Sequence, residues 1–435
     1  MKLFFYNLLF PVGFVLYLPE FIYKLVRRGG YSQRFMERFG WYKPDRQAQL
    51  GALDRPVWVH AVSVGEVMAA AAFIRRWRER RPGLDFVLST TTTTGYRTAA
   101  KRLPDGVVLV YNPLDFAPFV RAAFTAIAPR LVVIFEVEFW PNMIVTAARR
   151  GIPLALANGR MSDHSARGYA RFRWFFHDLF RRFSLMCVQT EVDADRVRRV
   201  VPAGVPIHVC NTMKFDLIPD AAAADLRPYL RESFGLDNPL VWVAGSTHGG
   251  EEAWVLATYG ALRREFPGLR LVLVPRHQER TAEVVALLEK HGLRYRLRRP
   301  GGEQPAAGNG GAEVLLVNTT GELMDFYAAA DLVFVGKSLA GNHGGHNIIE
   351  PAIHGKAIVY GENMENFRAV AGIFRSERAA VECADAPEAF RKTVAELLRS
   401  PERRKELARR ARAVVEKHRG AIDRTIDLLA PLAEE

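Results

Sequence analysis

DLVFVGKSLAGNHGGHNIIEPA, residues 331–352, is the stretch whose reading decides the fold. Its first five residues are an apolar run the length of a buried strand, and a turn with glycines at 341, 344 and 345 leads into a helix start bearing Asn347 and Glu350. Strand, glycine turn and helix in this order make the repeating unit of a doubly wound α/β fold. The glycines permit positive φ, so N–H groups at the helix start are predicted to face a phosphate, and Glu350 to accept from ribose hydroxyls. The spacing is neither a Walker loop nor GxGxxG. An ordinary strand-to-helix loop fits this stretch equally well, so the neighbouring segments decide between the two readings.

Apolar runs at 57–62, 85–89, 107–111, 131–135, 153–157 and 185–189 predict a first set of buried parallel strands. A second set follows at 240–244, 269–274, 313–317, 331–335 and 357–360, with helical patterns such as 279–291 between. Two Rossmann-like α/β domains facing a cleft are expected, with a boundary near 212–222. Residues 299–312 (RPGGEQPAAGNGGA) predict a surface loop, and the charged tail from about 385 predicts a solvated helical cover.

The 435 residues are too many for one ordinary core, and 49% apolar with 25% charged residues describes a globular chain. A net charge of +13 implies an anionic partner: nucleic acid, acidic lipid or a phosphorylated substrate. No basic-aromatic nucleic-acid module accompanies that charge. Cys187, Cys210 and Cys383 lack the spacing of a disulfide framework or a zinc site.

Residues 3–26 (LFFYNLLFPVGFVLYLPEFIYKLV) are interrupted by Asn7, Pro11, Gly13, Pro19, Glu20 and Lys24, and nothing after them resembles a signal-peptide cleavage site. A retained membrane anchor lying in the headgroup boundary is predicted, against the alternative of a buried core helix. Arg27, Arg28, Arg34 and Arg38 would then face acidic headgroups.

Chemistry is expected where strands end. After 57–62 come Ser63, Gly65 and Glu66 at a helix start, where Glu66 reads either as a general base or as a helix cap. The second strand runs into Ser89–Gly95, a set of hydroxyls including Thr93 that suits a phosphate or sugar, or equally a threonine-rich edge with an N-cap. Glu136 and Glu138 follow the 131–135 run and read as acceptor binding or site structure rather than a metal site; Arg160 follows the next strand and suits an anion. In the second half, Ser246 and Thr247 with nearby amides form an anion cradle, and Arg276 supplies a cation beside His277. His346, His248 and His277 read as loop-bonding residues before they read as bases.

In sequence order, HAVSVGEV, STTTTTG, EVEFWPN, NGRMS, NTMKFD, GSTHGGEE, VPRH, TGELMDFYAAADLVFVG and GGHNIIEPA resemble the bacterial Kdo (3-deoxy-D-manno-octulosonic acid) transferases of lipopolysaccharide synthesis. The resemblance implies a GT-B glycosyltransferase moving Kdo from CMP-Kdo to the lipid A precursor at the cytoplasmic face of a Gram-negative inner membrane. It implies Glu66 as base, with Glu136 as a second acidic residue, and Ser63, Gly65, Thr93, Gly95 and Arg160 toward the acceptor. Ser246, Thr247, Arg276, His277, Gly321, Glu322, Asn347 and Glu350 would serve the donor, with no metal or other cofactor. The implied division is an anchor over 1–28, an acceptor domain over 29–213 and a donor domain over 214–435. Lys337, Asn318 and Gly159 stand where the family usually has glycine, aspartate and alanine.

Two further readings carry their own signatures. A nucleotide-sugar epimerase shares the fold but needs no membrane docking, and a tethered binding protein with a decayed site would not retain Glu66, Arg276 and Glu350.

Overall fold

The computed structural model describes residues 3–11, 13, 14, 16, 34–218, 223–299, 302–304 and 311–434. The chain forms two compact units: Met1–Leu217 with Arg419–Glu435, and Ile218–His418 between them. The division follows the expected boundary, but the last seventeen residues return to the first unit instead of closing the second.

The first unit is one sheet of seven parallel strands: β1 Val57–His60, β2 Phe86–Thr90, β3 Val108–Tyr111, β4 Leu131–Phe135, β5 Leu154–Gly159, β6 Leu185–Val188 and β7 Ile207–Val209. Their order is β3-β2-β1-β4-β5-β6-β7. Every residue of β1 to β6 is buried, which is why each reads as a largely apolar run, with polar residues only toward the carboxyl ends. The order reverses between β1 and β4, and the crevice at the carboxyl ends of those two strands is where such folds bind ligands.

The second unit repeats the plan with β8 Leu240–Thr247, β9 Leu269–Pro275, β10 Tyr295–Arg299, β11 Gly302–Gln304, β12 Val314–Val317, β13 Leu332–Val335, β14 Ala357–Gly361 and β15 Val381–Cys383. The order is β11-β10-β12-β9-β8-β13-β14-β15, parallel except for the β10–β11 pair. Its reversal lies between β8 and β13. Residues 302–304, expected within a loop, extend the sheet edge as β11; residues 300–301 and 305–310 of that loop lie outside the described residues.

The tail divides. Helices Pro387–Arg399 and Pro401–His418 cover the second unit, as expected of a charged amphipathic segment. Helix Ala421–Leu429 instead buries Ala421, Ile422, Ile426 and Leu429 in one cluster with Val67, Ala70, Ile74 and Trp77 of helix Val64–Arg80. Asp216 accepts from Gly420 N and Ile422 N, both at 2.7 Å, and fixes the return of the chain.

Residues 3–11 are helical and docked by their polar members. Tyr6 donates to Asp115 at 3.0 Å, Asn7 exchanges side-chain hydrogen bonds with Asn142, and Asn7 Oδ1 accepts from Ala117 N at 2.9 Å. Phe10 stacks on Phe116. Phe4, Phe5, Leu8 and Leu9 face outward, each more than half exposed. No helix among the described residues is long and apolar enough to cross a membrane.

Arg38 corrects one expectation. Rather than facing headgroups it is buried, donates to Thr91 O at 2.7 Å and lies 4.3 Å from the centre of the Tyr111 ring. Arg34 pairs with Glu37 and Asp45, while Arg27, Arg28 and the rest of 17–33 lie outside the described residues.

Candidate active site

At the first switch point β1 ends and Ser63 caps helix Val64–Arg80. Glu66 N donates to Ser63 Oγ at 3.2 Å, while Glu66 Oε2 accepts from Val62 N at 2.9 Å and Oε1 from Ser63 N at 3.3 Å. Glu66 therefore is a cap, as one reading of the sequence held. Its carboxylate keeps lone pairs beyond the two so used, so capping fixes the group without exhausting it. Gly65 is exposed, and a Cβ there would meet only Ser63 Oγ, at 3.9 Å.

Across the reversal, β4 ends at Glu136, which has φ +57°. A left-handed glutamate costs on the order of 1–3 kcal/mol, and such strain gathers at functional sites. The buried Glu136 carboxylate accepts from Arg160 Nε at 2.6 Å. Burial pushes its pKa up; Arg160 and Lys214 oppose this, while the charge of Glu66 adds to it. Glu138, half-buried beside both, is pushed up to about 7 by burial and then by Glu66 and Glu136. Three carboxylates and two cations thus meet at this end of the sheet.

Lys214 was not singled out from the sequence. It arrives because Asn158, itself at φ +51°, accepts from Met213 N at 3.1 Å and anchors the turn Met213–Phe215. The only signal was its place in the NTMKFD block.

The threonine loop packs against this site. Thr90 and Thr92 hydroxyls both donate to Val62 O, at 3.3 and 3.0 Å, and Thr92 Oγ1 accepts from Gly95 N. A Cβ on Gly95 would lie 2.6 Å from Thr90 Oγ1, so that glycine permits the two loops to close. Thr93 is buried.

The second switch point is built on strain and buried acids. Ser246 (φ +55°) forms the irregularity in β8, and Lys337 (φ +63°) turns the chain after β13. A left-handed backbone of this kind favours glycine, so Lys337 holds it at a cost. The amides of the glycine turn itself are engaged within the protein. Glu251, buried at the start of helix Glu251–Leu262, accepts from the N–H groups of His248, Lys337, Ser338 and Leu339 at 2.8 to 3.0 Å. Asp385 takes Ala340 N and Gly341 N, Glu365 takes Gly344 N, and Gly345 N goes to Lys337 O. Carboxylates within the protein thus take the amides of residues 337–341 and 344.

Ring and guanidinium groups gather beside these turns. His248 lies 5.4 Å from His277 and 5.1 Å from His346, ring centre to ring centre. Burial, then the positive charge of His248, Arg276, Lys337 and His277, holds His346 down at about 3. Glu350 is pushed up to about 7 by burial, against Asn347, whose amide reaches it at 3.4 Å, and the charge of Arg276. Two buried polar atoms here, Thr247 Oγ1 and His346 Nε2, have no hydrogen-bond partner among the described residues, a condition they share with buried atoms elsewhere in the chain such as Trp242 Nε1. Structure therefore gathers Ser246, Thr247, Arg276, His277, Asn347 and Glu350 with His248, His346 and Lys337. Glu322 differs: Arg298 clamps it through Nε and Nη2, at 3.0 and 2.5 Å, beside Gly321. Among the described residues, no three His, Cys, Asp or Glu side chains form a metal-ligating group.

The sequence profile of the 3-deoxy-D-manno-octulosonic-acid transferases (kdotransferases) matches residues 33–217. The 3-deoxy-D-manno-octulosonic acid transferase of Haemophilus influenzae is 32% identical over 413 residues, covering 94% of this chain and 93% of that protein. The chain belongs to the Kdo transferase family. The Bordetella pertussis Kdo transferase is 34% identical, covering 93% of each chain. The crystal structure of MurG from Acinetobacter baumannii superimposes with a TM-score of 0.55 at 16% identity, covering 86% of this chain and all of that one, a likeness of fold. A Kdo transferase with this architecture is a GT-B glycosyltransferase built from two Rossmann-like units, as the sequence predicted.

Proposed function

We propose that this Kdo transferase moves Kdo from CMP-Kdo to a hydroxyl of the lipid A precursor, lipid IVA, with inversion at the anomeric carbon. The observation that carries the reading is the Glu66 carboxylate, fixed by two backbone N–H groups at the first switch point beside the Glu136–Arg160 pair. Glu66 takes the proton of the acceptor hydroxyl, whose oxygen bonds to the anomeric carbon of Kdo. The bond from that carbon to the phosphate oxygen breaks, and CMP departs with the electron pair. Arg160 and Lys214 keep the three-carboxylate cluster from repelling an anionic acceptor.

The second switch point receives CMP-Kdo. Arg276 and Lys337 offset the charge of phosphate and sugar carboxylate, the histidines offer ring N–H groups, and Glu350 accepts from the ribose. The reaction then needs no metal; unchanged turnover after exhaustive chelation is the expected result. Helix 3–11, with Phe4, Phe5, Leu8 and Leu9 outward, seats the protein on the anionic cytoplasmic face of the inner membrane.

The test is mass analysis of lipid products from purified protein, CMP-Kdo and lipid IVA. Glu66→Gln should lower turnover at least ~100-fold with CMP affinity unchanged. Turnover near wild type would remove Glu66 from the mechanism, and absence of a Kdo-lipid product from the wild type would end the donor and acceptor assignment.

A further inference from the structure

The second unit carries a concentration of positive charge that the donor site does not use. It lies at the opposite edge of the sheet, where the chain enters β13 through Ala330–Asp331 and β14 through Gly355–Lys356. A cavity of about 220 Å³ there is lined by Arg227, Asp331, Lys356, Arg404 and Lys405, among others. Four cations of the lining meet one lining carboxylate, which is already engaged, and Glu402 of the bordering helix adds a second negative charge beside Arg404. Asp331 Oδ1 accepts from Arg227 Nη2 at 2.9 Å, and Oδ2 from Val241 N at 2.7 Å. Among the described residues, no ion pair joins a carboxylate to Lys356, Arg404 or Lys405.

Two of the cations are placed rather than loose. Arg404 Nη1 donates to Leu397 O and Leu398 O, at 2.6 and 2.7 Å, which fixes the guanidinium and leaves its other nitrogens to donate elsewhere. Lys356 is half-buried in the wall of the cavity. Burial pulls the pKa of both groups down, with Arg227 adding to the effect at Lys356, while Asp331 opposes it at both and Glu402 at Arg404 as well. Desolvated positive charge in excess of its counter-charge is relieved by an anion. The first turn of helix Pro401–His418 borders the same cavity and adds its dipole in the same sense.

We propose that this cavity is a binding site for a phosphate-type oxyanion, separate from the donor site. Lys356, Arg404 and Lys405 contact the anion, and Arg227 completes the ring while held by Asp331. The chemistry fits inorganic phosphate or the phosphate of a monoester. Its place has a consequence for the donor loops. The strand β13 is four residues long, so an anion at its start sits roughly 13 Å from the Gly336–Lys337 turn at its end. An anion that ties the entries of β13 and β14 therefore steadies the two strands that carry the Ser338–Gly361 contact.

The test uses full-length protein and inorganic phosphate, with thermal unfolding followed against sodium chloride at matched ionic strength. Phosphate should raise the wild-type transition beyond the chloride control. Lys356→Gln and Lys405→Gln should each at least halve that excess, and Arg276→Gln, which alters the donor site, should leave most of it. Lys405 is exposed, so its substitution leaves the fold intact even if Lys356→Gln does not. The proposal is overturned if phosphate acts no differently from chloride, or if the excess survives both lysine substitutions, or if it disappears in Arg276→Gln.

Discussion

The carboxamides of Asn7 and Asn142 donate to one another, at 2.9 and 3.1 Å, and join two segments 135 residues apart. Asn7 is one of the residues that make the N-terminal apolar run look broken. It is there to hold helix 3–11 against the first unit.

Asn7→Leu should therefore weaken attachment although it makes the segment more apolar. It leaves Ala117 N and Asn142 Oδ1 without the partners Asn7 supplies, at a cost of about 1–3 kcal/mol, while Asn142 Nδ2 keeps Asp115 O. Hydrogen exchange over residues 3–11 should accelerate while the rest of the unit keeps its protection; equal protection in both proteins would show that the aromatic stacking suffices.

Glu251→Gln should disable the donor side without touching the first unit. One carboxylate receives four backbone N–H groups, and a carboxamide offers them one oxygen and two unwanted donors. CMP affinity, measured by calorimetry, should fall at least ~10-fold, or 1.4 kcal/mol. Wild-type affinity would mean that the loop holds its shape by other contacts.

Glu138 titrates near neutrality because it is buried beside Glu66 and Glu136. Below about 7 it is neutral; above, its charge helps draw the acceptor proton into the cluster, so turnover should rise through that range. Glu138→Gln should erase this limb of the pH–rate profile. A profile that keeps its limb near 7 in the variant would assign it to another group.

His60 links folding to acid. Fully buried, its pKa is held down to about 4 from 6.5. The unfolded chain binds the proton more readily, so stability is whole above pH 6.5 and declines as pH falls toward 4, by a total of about 3 kcal/mol. Denaturant titrations should show this slope in the wild type and a flatter one in His60→Gln.

Much of the fold was legible because buried parallel strands are apolar on both faces and declare themselves as runs. The short edge strands Ile207–Val209 and Val381–Cys383 are partly exposed and carry no such signature. The turn of the tail at residue 419 was hidden for a different reason: the apolar spacing of Ala421–Leu429 shows that it buries a face, not which core receives it. Glu66, Glu136 and the cluster around Arg276 were readable as residues at strand ends. Lys214 and Glu251 were not, since their positions depend on where a loop lands and which amides point at it. The same blindness made Arg38 look like a headgroup ligand, because nothing local tells that Tyr111 waits for it.

The helix Ala421–Leu429 gives the order of maturation a direction. A ribosome releases it only after the whole of the second unit, yet these residues brace the helix on which Glu66 sits. Synthesis can finish the intervening unit while the earlier one still lacks this support, so a product that ends before residue 421 is expected to stay catalytically silent.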